Sequence, residues 1–298
     1  MSEEFSADWL ALREPFDRIA RSRSLAVRLA AALPARPRIM DLGAGTASLF
    51  RFLAPIIGRA QAWTVVDADA ELLGHAFART AAWAQARGWR VTTPGRALLV
   101  HTPQGAWRIE ALATDFADDP ARLPFAAHDA VVCSALMDLV SCAWADRLAA
   151  ALSVPFLACL NVDGRDRFRP AHPDDRLIAR GFARDMRRDK GFGRAMGVAA
   201  PAMLARLFLA RGFTVATAPS DWLIPPIAER MLQALVRGHA AAAAKALPAG
   251  AARIAAWEQA RLRAIARGRL ALTIGHRDLL ALPGRPEPCR SSAASPTT

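Results

Sequence analysis

Apolar positions along the chain follow two spacings. Residues 36–42, 62–66, 130–136 and 154–162 are short apolar runs, the length of buried strands. Each of the first three is followed by apolar positions at helical spacing, over 46–57, 70–87 and 138–151. Between the second and third runs, residues 89–114 read as strands. Pro103-Gln104-Gly105 there forms a hairpin tip between Leu98-Leu99-Val100 and Trp107-Arg108-Ile109. Strands alternating with helices predict an α/β fold: a mostly parallel sheet covered on both faces.

The flanks carry helical spacing. Trp9, Leu10, Leu12, Phe16, Ile19, Leu25, Val27 and Leu29 predict two short helices meeting near Arg13-Glu14-Pro15. Residues 1–34 are therefore expected to form a helical cap, and 35–282 the main domain. Within that domain, 163–200 reads as a polar connector rich in Arg and Asp. A helix over 201–210 leads to a strand over 213–218, and 226–267 forms a helical insertion of two helices split at Leu247-Pro248-Ala249-Gly250. A last strand is expected over 270–274, ahead of His276, and a disordered tail over 283–298.

Composition narrows the classes. Of 298 residues 53% are hydrophobic, enough for a substantial core. A net charge of +12 suggests a polyanionic partner, but Lys190 and Lys245 are the only lysines, Tyr is absent and the arginines are scattered. That bias fits genome composition as well as selection for nucleic acid, which is not the expected partner. Cys133, Cys142, Cys159 and Cys289 show no ligand spacing, so neither a disulfide framework nor a metal site is expected. The acidic start Met1-Ser2-Glu3-Glu4 is unlike a secretory signal, and the apolar runs are too short for a bilayer. A cytoplasmic protein is expected.

The strongest chemical feature is Asp41-Leu42-Gly43-Ala44-Gly45-Thr46, a glycine turn between the first strand and its helix. Such a turn lets backbone approach a ligand that faces the helix N-terminus. Dinucleotide and adenosylmethionine proteins share this geometry. Here positions 47 and 48 are Ala and Ser, so the third glycine that admits a pyrophosphate is missing. Asp41 stands where it can accept from a cationic amino group, and Asp67 ends the second strand where a ribose-binding carboxylate belongs.

On these residues the chain resembles the class I S-adenosylmethionine-dependent methyltransferases, clearly over 36–162 and by strand order near the C-terminus. The resemblance implies a Rossmann-like, mostly parallel seven-stranded sheet with helices on both faces, an antiparallel last strand and helical caps. It implies S-adenosylmethionine as cofactor, held by Asp41, Gly43, Ala44, Gly45, Asp67, Ala68, Asp115, Phe116 and Ser134, with Asp69 beside the adenosine. Asp129 to Asp138 matches the fourth-strand motif. Ala47 departs from the family's third glycine.

No Pro-Pro-Phe/Tyr or Pro-Cys follows the fourth strand, which argues against methylation of nucleic-acid bases. A small anionic acceptor is expected, bound by Arg187, Arg188, Lys190 and Trp222. Methyl transfer needs chiefly alignment, with a base only if the acceptor must lose a proton. His172, Asp138 and Asp185 are the candidates, and His suits neutral pH best. Arg13 or Arg21 would meet a methionine carboxylate or simply lie on the surface. The alternatives are an RNA or protein methyltransferase, a nicotinamide-dependent oxidoreductase and a non-catalytic binding protein.

Overall fold

The structure is a computed structural model and describes residues 6–284. In chain order it begins with α1 (Ala7–Ala20), α2 (Arg23–Ala32), β1 (Arg38–Leu42), α3 (Ser48–Ile57), β2 (Gln61–Asp67) and α4 (Ala70–Gln85). There follow β3 (Arg90–Thr92), β4 (Ala97–Thr102), β5 (Gly105–Ala113), β6 (Ala130–Ser134), α5 (Cys142–Ala151) and β7 (Phe156–Val162). The second half contains β8 (Arg167–Arg169), α6 (Asp175–Met186), α7 (Ala200–Ala210), β9 (Phe213–Pro219) and β10 (Trp222–Ile224). It closes with α8 (Glu229–Ala246), α9 (Ala251–Ala266), β11 (Ala271–Ile274) and β12 (His276–Pro283).

The main sheet runs β3-β4-β5-β2-β1-β6-β7-β12-β9. From β5 to β7 the strands are parallel, and β12 is antiparallel to both β7 and β9. Those seven strands are the Rossmann-like arrangement with a reversed last strand. The hairpin strands β3 and β4 extend it to nine. Side chains alternate between two cores, as the strand period requires. Ile39, Val65 and Val132 pack with α2, α3 and α4 on one face. Met40, Val66, Val131 and Cys133 pack with α5 and α7 on the other.

Strand order reverses around β1, with β2 on one side and β6 on the other. A crevice therefore opens at the carboxyl ends of β1 and β6, where open α/β sheets bind ligands. Above it lie α1, α6, α8, α9 and a second sheet in the order β10-β11-β8.

Four expectations need correction. Helix α1 runs through Pro15 without a break, and the chain turns instead at Arg21, where Ser22 caps α2. Proline removes one backbone donor, and the helix is held on either side of it. Glu14 accepts from Arg51 Nε at 2.6 Å, and Asp17 from Arg13 Nε at 3.1 Å. The connector contains a helix of about three turns, α6, rather than loop alone. Its Gly181 breaks no helix because it is a contact point: a Cβ there would lie 2.7 Å from Cα and Cβ of Ala243 in α8. The last strand is two strands: 271–274 joins the small sheet, and β12 completes the main one. Helix α5 starts at Cys142, not 138, because Ser141 caps it at the Trp144 N–H. Asp138 therefore lies in a loop.

The expected tail begins two residues early. Pro283 still pairs with Phe213, and Gly284 N–H bonds the Gly212 carbonyl at 3.1 Å. The remainder of that tail, with Cys289, lies outside the described residues, as do Met1 to Phe5. Among the described residues no helix is long and apolar enough to cross a membrane.

Candidate active site

The first cavity lies at the carboxyl end of β1. Gly43 and Gly45 have φ of +61° and +50°, conformations that favour glycine. Gly45 is also a close approach, since a Cβ there would stand 3.0 Å from Leu10 of α1. Ala47 takes φ +59° as well, at the position before α3. The third turn position thus keeps the left-handed backbone and bears a methyl group at a cost of about 1–2 kcal/mol.

Asp41 is 1% exposed and neither carboxylate oxygen has a hydrogen-bond partner among the described residues. Burial pushes its pKa up to about 8; Arg21 pulls it down and Asp67 adds to the rise. A buried carboxyl with no donor is costly unless a ligand supplies one. Asp67 is better served. Its Oδ2 accepts from Gly45 N–H at 2.8 Å and its Oδ1 from Asp69 N–H at 3.0 Å. Burial raises its pKa, and those backbone donors oppose the rise. Asp69 caps α4 through the Glu71 and Leu72 amides.

All nine residues expected to hold the cofactor line this cavity. Asp115 lies at its exposed rim and accepts from Ala117 N–H at 2.8 Å. Phe116 is buried in a ring cluster with Trp144 and Phe192, and Trp144 Nε1 donates to its carbonyl at 3.1 Å. Phe192 belongs to the connector, and nothing in its local sequence points to this wall.

Arg21 closes the opposite wall and is buried, not a surface residue. Its Nη2 donates to Ser134 Oγ at 3.0 Å and Ser48 Oγ at 2.9 Å, and its Nη1 to the Ser48 carbonyl at 3.2 Å. Arg13 is buried too. It pairs with Asp17 and places its guanidinium 4.8 Å from the centre of the Trp222 ring. Asp17 in turn accepts from Trp222 Nε1 at 3.1 Å.

A second cavity of about 550 Å³ abuts the first, and the two share Arg13, Ala135, Leu139 and Lys190 in their linings. Its walls are largely apolar, with Trp9, Leu160, Phe182, Met186 and Leu235 among them. Asp138, Asp185, Arg188, Lys190 and Trp222 all line it. Trp222 is buried at its wall, 4.8 Å from His276 between ring centres.

The carboxylates here differ. Asp185 accepts from Arg188 Nε at 2.6 Å and lies 3.7 Å from Lys190 Nζ. Asp138 is 4% exposed and its Oδ1 has no partner. Burial pushes its pKa up to about 6, against the pull of its own backbone N–H and of Arg13 and Lys190. The loop that holds it is pinned by Gly197 N–H on the Asp138 carbonyl and Met196 N–H on that of Val140.

Two histidines in this cavity were not anticipated. His239 is satisfied, by the Leu235 carbonyl and Asp166 Oδ2, and stacks on Phe182 at 4.3 Å. His276 meets the Ile274 carbonyl through Nδ1 at 3.1 Å, so its proton sits on Nδ1 and Nε2 is left as an acceptor. Burial, then the Arg13 charge, lowers its pKa to about 4. Its role comes from long-range packing, because β12 brings it beside Trp222, a contact no local motif announces.

His172 and Arg187 line neither of these cavities. His172 belongs to the turn before α6: its N–H donates to Asp175 and its Nδ1 accepts from Asp174 N–H. Cys133 is fully buried, and burial followed by the Asp41 and Asp138 charges keeps its thiol protonated, against a nucleophilic role.

No protein-family model matches the chain, and no curated protein matches it. Solved structures similar to it include a SAM-dependent methyltransferase of Geobacter sulfurreducens in complex with S-adenosylhomocysteine. It is 16% identical, with 89% of this chain and 93% of that one covered, at a TM-score of 0.42. A SAM-dependent methyltransferase of Thiobacillus denitrificans, also with S-adenosylhomocysteine, is 15% identical over 94% and 99%, at 0.44. Geranyl diphosphate C-methyltransferase of Streptomyces coelicolor is 10% identical over 87% and 78%, at 0.41.

Proposed function

We propose that the chain is an S-adenosylmethionine-dependent methyltransferase that holds the cofactor in the first cavity and a small acceptor in the second. The observation that carries this reading is Asp41, a buried carboxylate with both oxygens unpartnered at the mouth of a left-handed glycine turn. An amino acid ammonium is the donor it lacks. Arg21, the cation whose charge Asp41 feels most strongly, suits the carboxylate of the same moiety. Asp67 keeps accepting capacity for ribose hydroxyls, and Phe116 offers a face for adenine.

S-adenosylmethionine supplies the methyl group and a good leaving group. The protein has to place the acceptor in line and exclude water, and alignment contributes on the order of 7–11 kcal/mol. The shared wall of Arg13, Ala135, Leu139 and Lys190 is where donor and acceptor would meet. Asp138 fits the general base better than His172: it lies in the acceptor cavity, and a pKa of about 6 leaves it ionised at neutral pH. His276 Nε2 is a second acceptor for an O–H or N–H of the substrate. Its lowered pKa suits it to orienting that group rather than to removing the proton. The part of the acceptor that enters this cavity is then apolar and presents a hydroxyl or amine between Asp138 and His276. Arg188 and Lys190, expected to bind an anion directly, are engaged with Asp185.

Calorimetry with S-adenosylhomocysteine and with NADH tests the reading. Binding of the former and not the latter is expected; binding of the dinucleotide alone would overturn it.

A further inference from the structure

Outside both cavities, one face of α6 meets α8 at a groove of about 680 Å³ lined by Arg180, Arg184, Arg187, Arg188, Arg194 and Lys245. The first three are spaced four and three residues apart, which puts them on one face of the helix. Arg194 comes from the connector beyond α6, and Lys245 from the last turn of α8. Apart from Ala183, Val198 and Ala246, cations make up the lining, and no carboxylate contributes to it.

At the other end of α6, Asp174 pairs with Arg253 and Asp175 with Arg261. In the groove, Arg180, Arg184, Arg187, Arg194 and Lys245 have no ion pair among the described residues, and Arg188 pairs with Asp185. Like charges at helical spacing repel one another, so the fold gains nothing from gathering them there. The groove also adjoins the acceptor cavity, because Arg188 and Lys245 line both.

We infer that this groove is an anion subsite that holds a phosphate or diphosphate end of the acceptor, whose methylated end reaches between Asp138 and His276. The inference rests on the methyltransferase reading and extends it to substrate class. Guanidiniums suit phosphoryl oxygens through paired N–H bonds. The five groove cations other than the Asp185-paired Arg188 exceed what one carboxylate would balance, and a diphosphate carries the charge and the oxygens to engage several. A small ligand fits better than nucleic acid. The groove adjoins a largely apolar cavity, and its lining contains no aromatic ring on which a base could stack.

The test is titration of the full chain with inorganic pyrophosphate near physiological salt, with S-adenosylhomocysteine affinity measured in parallel. Two triple variants are compared. R180Q/R184Q/R194Q empties the groove of three charges, and R23Q/R28Q/R36Q removes three exposed charges near the N-terminus. We expect the groove variant to lose about tenfold or more in pyrophosphate affinity and the remote one less than about twofold, since screening confines distant surface charges. Both should bind S-adenosylhomocysteine as the parent does. Pyrophosphate that fails to bind the parent, or weakens equally in both variants, overturns the subsite. A single-stranded RNA that binds the parent more tightly than pyrophosphate, and is lost in the groove variant, assigns the groove to nucleic acid and also overturns it. Failure of the parent to bind S-adenosylhomocysteine overturns the methyltransferase reading instead, so the two failures are distinct.

Discussion

Replacing Asp41 by Asn should make the unliganded protein more stable while it ruins cofactor binding. The carboxyl titrates at about 8 in the folded chain against 3.8 for an unperturbed group. Because the folded value is the higher, the folded state holds an extra proton between those limits. Stability therefore falls as pH rises through that window. Each pH unit costs about 1.4 kcal/mol, so the handicap at pH 7 is ~4 kcal/mol. Asparagine carries no charge to suppress. Its amide would find the same lack of partners, at about 1–3 kcal/mol, which leaves a net gain of about 1–3 kcal/mol at pH 7. For a chain of this size that raises Tm by roughly 2–6 °C. Urea or thermal unfolding of both proteins at pH 5, 7 and 8 measures it, and the gain should grow by about 1.4 kcal/mol per unit up to pH 8. Added S-adenosylhomocysteine should then stabilise the parent and leave D41N almost unmoved. A pH-independent difference, or a variant less stable at pH 8, would refute the claim that Asp41 is held as an uncompensated buried carboxyl.

Three further outcomes are expected. D67N should weaken S-adenosylhomocysteine binding about 10–100-fold by calorimetry, the loss of charge-assisted hydrogen bonds to the ribose, while the far-UV spectrum is retained. With an identified acceptor, kcat/KM should rise with pH through about 6 and then level as Asp138 ionises, and D138N should abolish that limb; a limb that survives in D138N assigns the base elsewhere. G181A should destabilise the fold by about 1–3 kcal/mol through the clash with Ala243, seen in denaturant midpoints, because the α6–α8 contact has no room for a methyl group.

Much of this could be read in the sequence. The alternation of apolar runs with helical spacing foretold the parallel sheet, because a strand buried on both faces must be apolar throughout. Asp41, Gly43, Gly45 and Asp67 were legible for a related reason. A left-handed turn at a strand end is local backbone chemistry, and it shows as glycines at fixed spacing. The tertiary structure decided the second cavity. Phe192, Arg13, Arg21 and His276 reach the cavities from segments far apart in the chain, and each looks locally like an ordinary core or surface residue. Asp138 and Asp185 look equivalent in sequence. Packing gives Asp185 two cations and leaves Asp138 Oδ1 without a partner. Ionisation depends on burial and on neighbours, and neither has a sequence spacing. That is why the glycine turn is plain in one dimension and the chemistry of the second cavity appears only in three.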